Sequence, residues 1–214
     1  MSRLKVHEIF FSLQGETTYV GLPTLFIRLT GCPLRCTYCD SEYAFTGGQW
    51  QAMESLVAYA KQESIGRVCV TGGEPLAQPA CYELLHKLCE AGLKVTLETS
   101  GAYPIEKVDQ RVVCILDLKT PGSGEVSRNL WDNLDHLKPV DEIKCVVTDE
   151  LDYQWVKQML VERKLIDSHH EILLSPSYGQ LAEKDLAEWV LADRLPVRVQ
   201  LQMHKYIWGD IPGK

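Results

Sequence analysis

Three cysteines, Cys32, Cys36 and Cys39, stand at a C-x3-C-x2-C spacing within Gly31-Cys32-Pro33-Leu34-Arg35-Cys36-Thr37-Tyr38-Cys39-Asp40-Ser41. Thiolates are soft donors, suited to zinc, copper or iron–sulfur centres. A loop this short brings all three onto one small object. An ordinary iron–sulfur cluster takes four cysteines and a structural zinc site takes four ligands, yet no further cysteine or histidine follows at ligand spacing. Three chemistries stay open. One is a zinc site completed by a remote residue such as Cys69, and another is a redox pair of Cys36 and Cys39 with Cys32 a bystander. The third is a 4Fe-4S cluster with one iron left open to a small molecule.

The loop follows an apolar, strand-like run, Thr24–Thr30, which contains one charge, Arg28. A charge in such a run is costly without a partner. Upstream, residues 5–12 read as extended and end at Leu13-Gln14-Gly15-Glu16, where glycine permits a tight turn. Downstream, strand-like runs at 67–71, 94–98, 112–117, 142–147, 172–174 and 197–201 alternate with helical patterns. Met53, Leu56, Val57 and Ala60 mark one helix, and Cys81, Leu84, Leu85, Leu88 and Cys89 mark a second that ends near Gly92. A third spans about 151–163 with Leu151, Trp155, Val156, Met159 and Leu160 expected on its buried side. Ala182, Leu186, Trp189 and Val190 mark a fourth. Residues after 201 read as a tail, in which His204-Lys205 either lines the open rim or makes a surface or dimer contact. The alternation implies an α/β fold with parallel strands. Right-handed crossovers then place the strand exits, including Gly72-Gly73-Glu74-Pro75, Thr99–Gly101 and Lys119–Glu125, on the rim that holds the cysteine loop.

Bulk properties narrow the function classes. Lys+Arg 22 against Asp+Glu 29 leaves a net charge of −7 in 214 residues, which disfavours a phosphate-backbone ligand. No apolar run reaches membrane-spanning length and no secretory pattern opens the chain, so neither nucleic acid nor membrane is an expected partner. Eight cysteines, five of them inside apolar segments, fit reduced thiols in the cytoplasm better than a disulfide framework. The Lys119–Glu125 stretch is glycine-rich but lacks phosphate-loop spacing.

The cysteine spacing, with Tyr38 at the aromatic place before Cys39, resembles the signature of the radical S-adenosylmethionine (SAM) superfamily. Gly72-Gly73-Glu74-Pro75 and Glu98-Thr99-Ser100-Gly101 resemble two further stretches of it. Leu13-Gln14-Gly15-Glu16, Arg28 and Cys39-Asp40-Ser41 look more narrowly like the 7-carboxy-7-deazaguanine synthase family of the queuosine-precursor pathway. The resemblance covers most of the chain.

It implies a single domain, 1–214, built as an open partial (β/α) barrel of mostly parallel strands. Residues 1–23 would form a substrate-contacting extension, 24–201 the α/β core and 202–214 a tail. It also implies a 4Fe-4S cluster on Cys32, Cys36 and Cys39, with SAM on the open iron cleaved to a 5′-deoxyadenosyl radical. Tyr38, Asp40, Gly72, Gly73, Glu74, Gly101, Asp117 and Lys119 would then contact SAM, with Glu74 serving either its ammonium or the order of the loop. Leu13, Gln14, Gly15, Glu16, Arg28 and Thr99 would contact 6-carboxy-5,6,7,8-tetrahydropterin, with the Arg28 guanidinium on its carboxylate. Ser41 would offer its hydroxyl to Mg2+. An external electron donor and a homodimer complete the expectation. A glycyl-radical activase, and a non-catalytic zinc or electron-transfer module, are the rival readings. The motif before Arg28 favours the pterin.

Overall fold

The computed structural model describes residues 2–209, 211 and 213. One nine-stranded sheet organises the chain. Its strands are β1 (Arg3–Leu13), β2 (Pro23–Leu29), β3 (Gln49–Ala52), β4 (Arg67–Gly72), β5 (Lys94–Thr99), β6 (Val113–Asp117), β7 (Glu142–Val147), β8 (Glu171–Pro176) and β9 (Arg198–Val199). Their order is β3-β1-β2-β4-β5-β6-β7-β8-β9, so the sheet does not close on itself. From β2 to β9 every pairing is parallel, while β1 and β3 add antiparallel strands at one edge. The helices are α1 (Met53–Glu63), α2 (Ala80–Glu90), α3 (Glu150–Glu162), α4 (Glu183–Asp193) and a short α5 (Met203–Trp208). No helix among the described residues is long and apolar enough to cross a membrane.

Side chains of successive strand residues point to opposite faces, and that alternation divides the sheet's work. Leu25, Ile27 and Leu29, Val68 and Val70, Cys114 and Leu116, and Ile143, Cys145 and Val147 join Leu56, Leu84, Leu88, Val156 and Leu186 of the helices in one core. The residues between them, such as Arg28, Thr71, Glu98, Asp117 and Lys144, line a cavity on the other face. A parallel sheet is ordinarily apolar on both faces. Here the second face is polar, which suits a ligand site.

Four sequence expectations need correction. Leu151 is 78% exposed, and α3 buries Asp152, Tyr153, Val156, Met159 and Leu160 instead. The Asp149 side chain caps α3 by accepting from the Asp152 N–H at 2.9 Å, and this start turns Asp152 inward and Leu151 out. The last strand shrinks to Arg198–Val199. Residues 203–208 are helical rather than a bare tail, and β3 is a strand with no apolar alternation to announce it. Gly92, at φ +83°, lies just past the end of α2, where a left-handed residue finishes a helix.

Candidate active site

The cysteine loop leaves the C-terminal end of β2 and is gripped from both sides. On one side the β4 exit packs backbone to backbone: Glu74 N–H donates to the Gly31 carbonyl at 2.8 Å and Gly73 N–H to that of Leu29 at 3.3 Å. A Cβ on Gly73 would meet the Gly31 carbonyl oxygen and lie 2.6 Å from the Cys32 Cβ, and one on Gly72 would lie 2.5 Å from the Leu29 carbonyl oxygen. The two glycines therefore admit the cysteine loop itself, in addition to facing the cavity.

On the other side, the Gly-rich stretch after β6 clamps the loop. Thr37 N–H donates to the Ser123 carbonyl at 3.1 Å, its hydroxyl to the Gly122 carbonyl at 2.7 Å, and Arg35 N–H to Glu125 at 2.6 Å. Buried Asp152 anchors that stretch, accepting from Gly122 N–H, the Thr120 hydroxyl and both the N–H and hydroxyl of Thr148 at 2.7–3.0 Å. Sequence reading had no signal for Asp152, an acidic residue in the first turn of a helix.

Cys32, Cys36 and Cys39 are free, partly exposed thiols that line one cavity, whereas the other five cysteines are buried. Burial raises the Cys32 thiol and pushes Cys36 up to about 11. A thiolate there wants a cation, as metal ligation supplies. Among the described residues no three His, Cys, Asp or Glu side chains gather closely enough to hold a single metal ion. The three thiols line one cavity, and a cluster, which spreads its irons over several ligands, suits that donor set.

All the site residues expected from sequence line this cavity except Glu74 and Gly101. Glu74 is fully buried and accepts from Leu76 N–H, the Thr99 hydroxyl, and the N–H and hydroxyl of Ser100 at 2.5–3.0 Å. Its carboxylate is consumed in tying the β4 and β5 exits together, the loop-ordering alternative, and is not available to an ammonium. Burial raises this carboxyl above its ordinary value, against the pull of those donors. Gly101, at φ +73°, gives its carbonyl to Leu130 N–H and the Asn133 amide, below the cavity.

Charge pairs dominate the rest of the cavity lining. Glu16 is ion-paired with Lys144 and accepts from the Gln202 amide at 2.8 Å. Burial works against its charge, but Lys144 holds the carboxyl below the usual range. Asp40, whose side chain is 41% exposed, sits 3.2 Å from Lys205; partial desolvation works against its charge, but Lys205 holds the carboxyl below the usual range. Lys119 contacts Asp117 at 3.1 Å and stays protonated despite its burial. The Asp117 Oδ1 and the Tyr38 hydroxyl are buried without a hydrogen-bond partner, both at the cavity wall. Such atoms cost free energy unless a ligand satisfies them. The Gln14 amide donates to Glu98 at 3.1 Å and its oxygen accepts from Glu16 N–H at 3.2 Å, while Thr71 holds Glu98 from below at 2.9 Å. Glu98 is thus held by two side-chain donors, Gln14 and Thr71. Ser41 lines the cavity with its hydroxyl 3.9 Å from the Cys39 sulfur.

The segment after β9 brings Gln202, His204 and Lys205 to the cavity, the rim alternative for His204-Lys205. Met203 N–H donates to the Gly15 carbonyl at 2.9 Å, and a side chain on Gly15 would collide with the His204 ring. The C-terminal carboxylate, at Lys214, lies outside the described residues. Lys144 was the residue that sequence reading missed. Its signal was the one that singled out Arg28, a lone cation in the apolar part of a strand.

Comparison with known proteins agrees with this geometry. Residues 26–110 match the Radical SAM superfamily. The chain is 40% identical to 7-carboxy-7-deazaguanine synthase of Koribacter versatilis over 96% of its length and 97% of the relative's. It is 42% identical to the synthase of Chlorobaculum tepidum, over 96% and 94%. The crystal structure of QueE from Escherichia coli shares the fold, with a TM-score of 0.77 at 24% identity over 94% of this chain and 95% of that one. A cysteine loop facing a wall of paired charges, and relatives alike along almost the whole chain, lead to one conclusion: this chain belongs to the 7-carboxy-7-deazaguanine synthase family of radical SAM proteins.

Proposed function

We propose that this chain converts 6-carboxy-5,6,7,8-tetrahydropterin to 7-carboxy-7-deazaguanine with release of ammonia. The observation that carries the reading is that the three free thiols and the Gln14–Glu16–Arg28 wall open into a single cavity. When bound, a 4Fe-4S cluster and SAM supply one-electron cleavage of a sulfonium C–S bond, chemistry that no side chain offers.

The chain's own residues bind and orient. Cys32, Cys36 and Cys39 hold the cluster. Gly72 and Gly73 present close backbone to SAM, and the unpartnered Asp117 Oδ1 offers an acceptor beside Lys119. Glu16, kept anionic by Lys144, accepts from ring N–H groups of the pterin, and Gln14 fixes the backbone that carries Glu16. Arg28 takes the carboxylate. The α5 roof limits water at the mouth. Ser41, whose hydroxyl lines the cavity, would offer an oxygen ligand to Mg2+. The same reading includes an external electron donor and a homodimer working in the cytoplasm.

Anaerobic turnover with reductant, SAM, magnesium and the carboxytetrahydropterin tests it. The expected outcome is 7-carboxy-7-deazaguanine, lost together with the brown colour in Cys36→Ala. SAM cleavage without turnover of the pterin would remove the substrate assignment while leaving the superfamily chemistry in place.

A further inference from the structure

The wall that carries Arg28 has a second residue behind it. β1 and β2 pair with one irregularity, between Val6 and Glu8. Val6 stands opposite Leu29, so unbroken pairing would set His7 opposite Arg28. One extra residue instead sets Glu8 there. A bulge of this kind re-aims the side chains beyond it. Glu8 accepts on Oε1 from Arg28 Nε at 2.7 Å and from the Tyr43 hydroxyl at 2.9 Å. The Arg28 guanidinium lies 5.6 Å from the centre of the Phe10 ring and 5.8 Å from that of Tyr43. Phe10 in turn is stacked on Phe26 at 4.9 Å. Arg28, Phe10 and Phe26 line the cavity, while Glu8 does not.

We propose that Glu8 is a positioning residue that grips Arg28 by its Nε edge, so that the remainder of the guanidinium meets the carboxylate of the substrate, with the bulge at His7 setting the register of that grip. The inference rests on the function proposed above, because it takes the carboxylated pterin as ligand. Two effects of Glu8 oppose each other. Its charge offsets that of Arg28 and by itself weakens the hold on a second carboxylate. Its grip removes rotamer freedom that a long side chain would otherwise surrender on binding, worth about tenfold in affinity. The short, shared hydrogen bonds and the flanking rings favour the grip.

The test uses reconstituted holoenzyme with SAM, without oxygen, and two ligands: 6-carboxytetrahydropterin and tetrahydropterin lacking the carboxylate. Equilibrium binding is measured for both, and KM and kcat for the first. Glu8→Ala is expected to weaken binding of the carboxylated ligand about tenfold, leave the other ligand unchanged, and raise KM while kcat holds. Glu8→Gln keeps the accepting oxygen and should restore most of the affinity. The double variant with Arg28→Ala should be no worse than Arg28→Ala alone, since the two residues act as one unit. An equal loss for both ligands, or tighter binding of the carboxylate by Glu8→Ala, overturns the inference. Should Glu8→Ala fail to assemble, Tyr43→Phe decides. It keeps the ion pair and removes one donor, so a smaller loss confined to the carboxylated ligand is expected, and no loss overturns the inference. Wild-type protein that binds neither pterin overturns the function itself.

Discussion

The two walls of the cavity are held by different physics. The cysteine-loop wall is fixed largely by backbone: carbonyls and N–H groups of Leu29, Gly31, Gly73 and Glu74 meet at distances only glycine allows, and Thr37 N–H reaches the Ser123 carbonyl, with the Glu125 and Asp152 carboxylates bracing the clamp. The rest of the lining is fixed by side chains, through Glu16 with Lys144 and Arg28 with Glu8, and Asp40 at the end of the cysteine loop is held by Lys205. Backbone contacts demand a geometry and tolerate almost any neighbouring side chain. Ion pairs demand particular residue types. The first wall therefore depends on loop geometry, and in the function proposed above the second supplies the groups that recognise the substrate.

The contrast can be broken at several points. The largest effect is expected from Gly73→Ala, whose added methyl collides with Gly31 and Cys32. Displacing the cysteine loop by about an ångström should cost SAM cleavage about a hundredfold and most of the reconstituted iron, measured by iron assay and 5′-deoxyadenosine release. Retained iron would show that the loop is held otherwise. Lys144→Met should strip Glu16 of its counter-charge, costing about 2 kcal/mol or roughly thirtyfold in KM for the pterin. SAM cleavage should continue, because that wall is left intact.

Acid should separate the walls more gently. Glu16 and Asp40 are held below their ordinary values of 4.5 and 3.8, so their contribution is complete above those values and fades as pH falls through the lowered ones. Hydrogen-exchange protection of the Met203 amide, which reports the α5 roof, should be flat from neutral pH down to 4.5 and decline below it as the two carboxylates take up protons. A decline beginning near pH 6 would contradict the pairing. The smallest effect is expected from Thr37→Val, which removes an exposed hydroxyl bond and keeps the backbone one. It should cost about 1 kcal/mol or less in denaturant unfolding; a larger loss would mean that side chains, and not backbone, hold that wall.

Much of this was legible beforehand, for physical reasons. The α2 stripe from Cys81 to Cys89 announced its buried face, and strand runs followed by glycine placed the exits on one rim. Arg28 was found because a charge inside an apolar strand needs a partner. The sequence named the ligand as that partner and missed Glu8, since a one-residue bulge leaves no trace in apolar spacing. Glu74 was ambiguous because spacing cannot tell a carboxylate that faces a ligand from one consumed by neighbouring N–H groups. Leu151 misled because it fits a helical stripe that the Asp149 cap rotates out of register. β3 and α5 are too short and mixed in character to show periodicity, yet α5 closes the site.

The division of labour across the sheet carries a consequence for how such a protein can change. Because alternate residues of each strand serve the helices and the ligand separately, positions such as 28, 71, 98, 117 and 144 can be rewritten while the apolar letters between them stay constant. A new specificity then arises by edits confined to one side of the page, made in charge-matched sets so that no buried partner such as Glu16 or Glu8 is left alone.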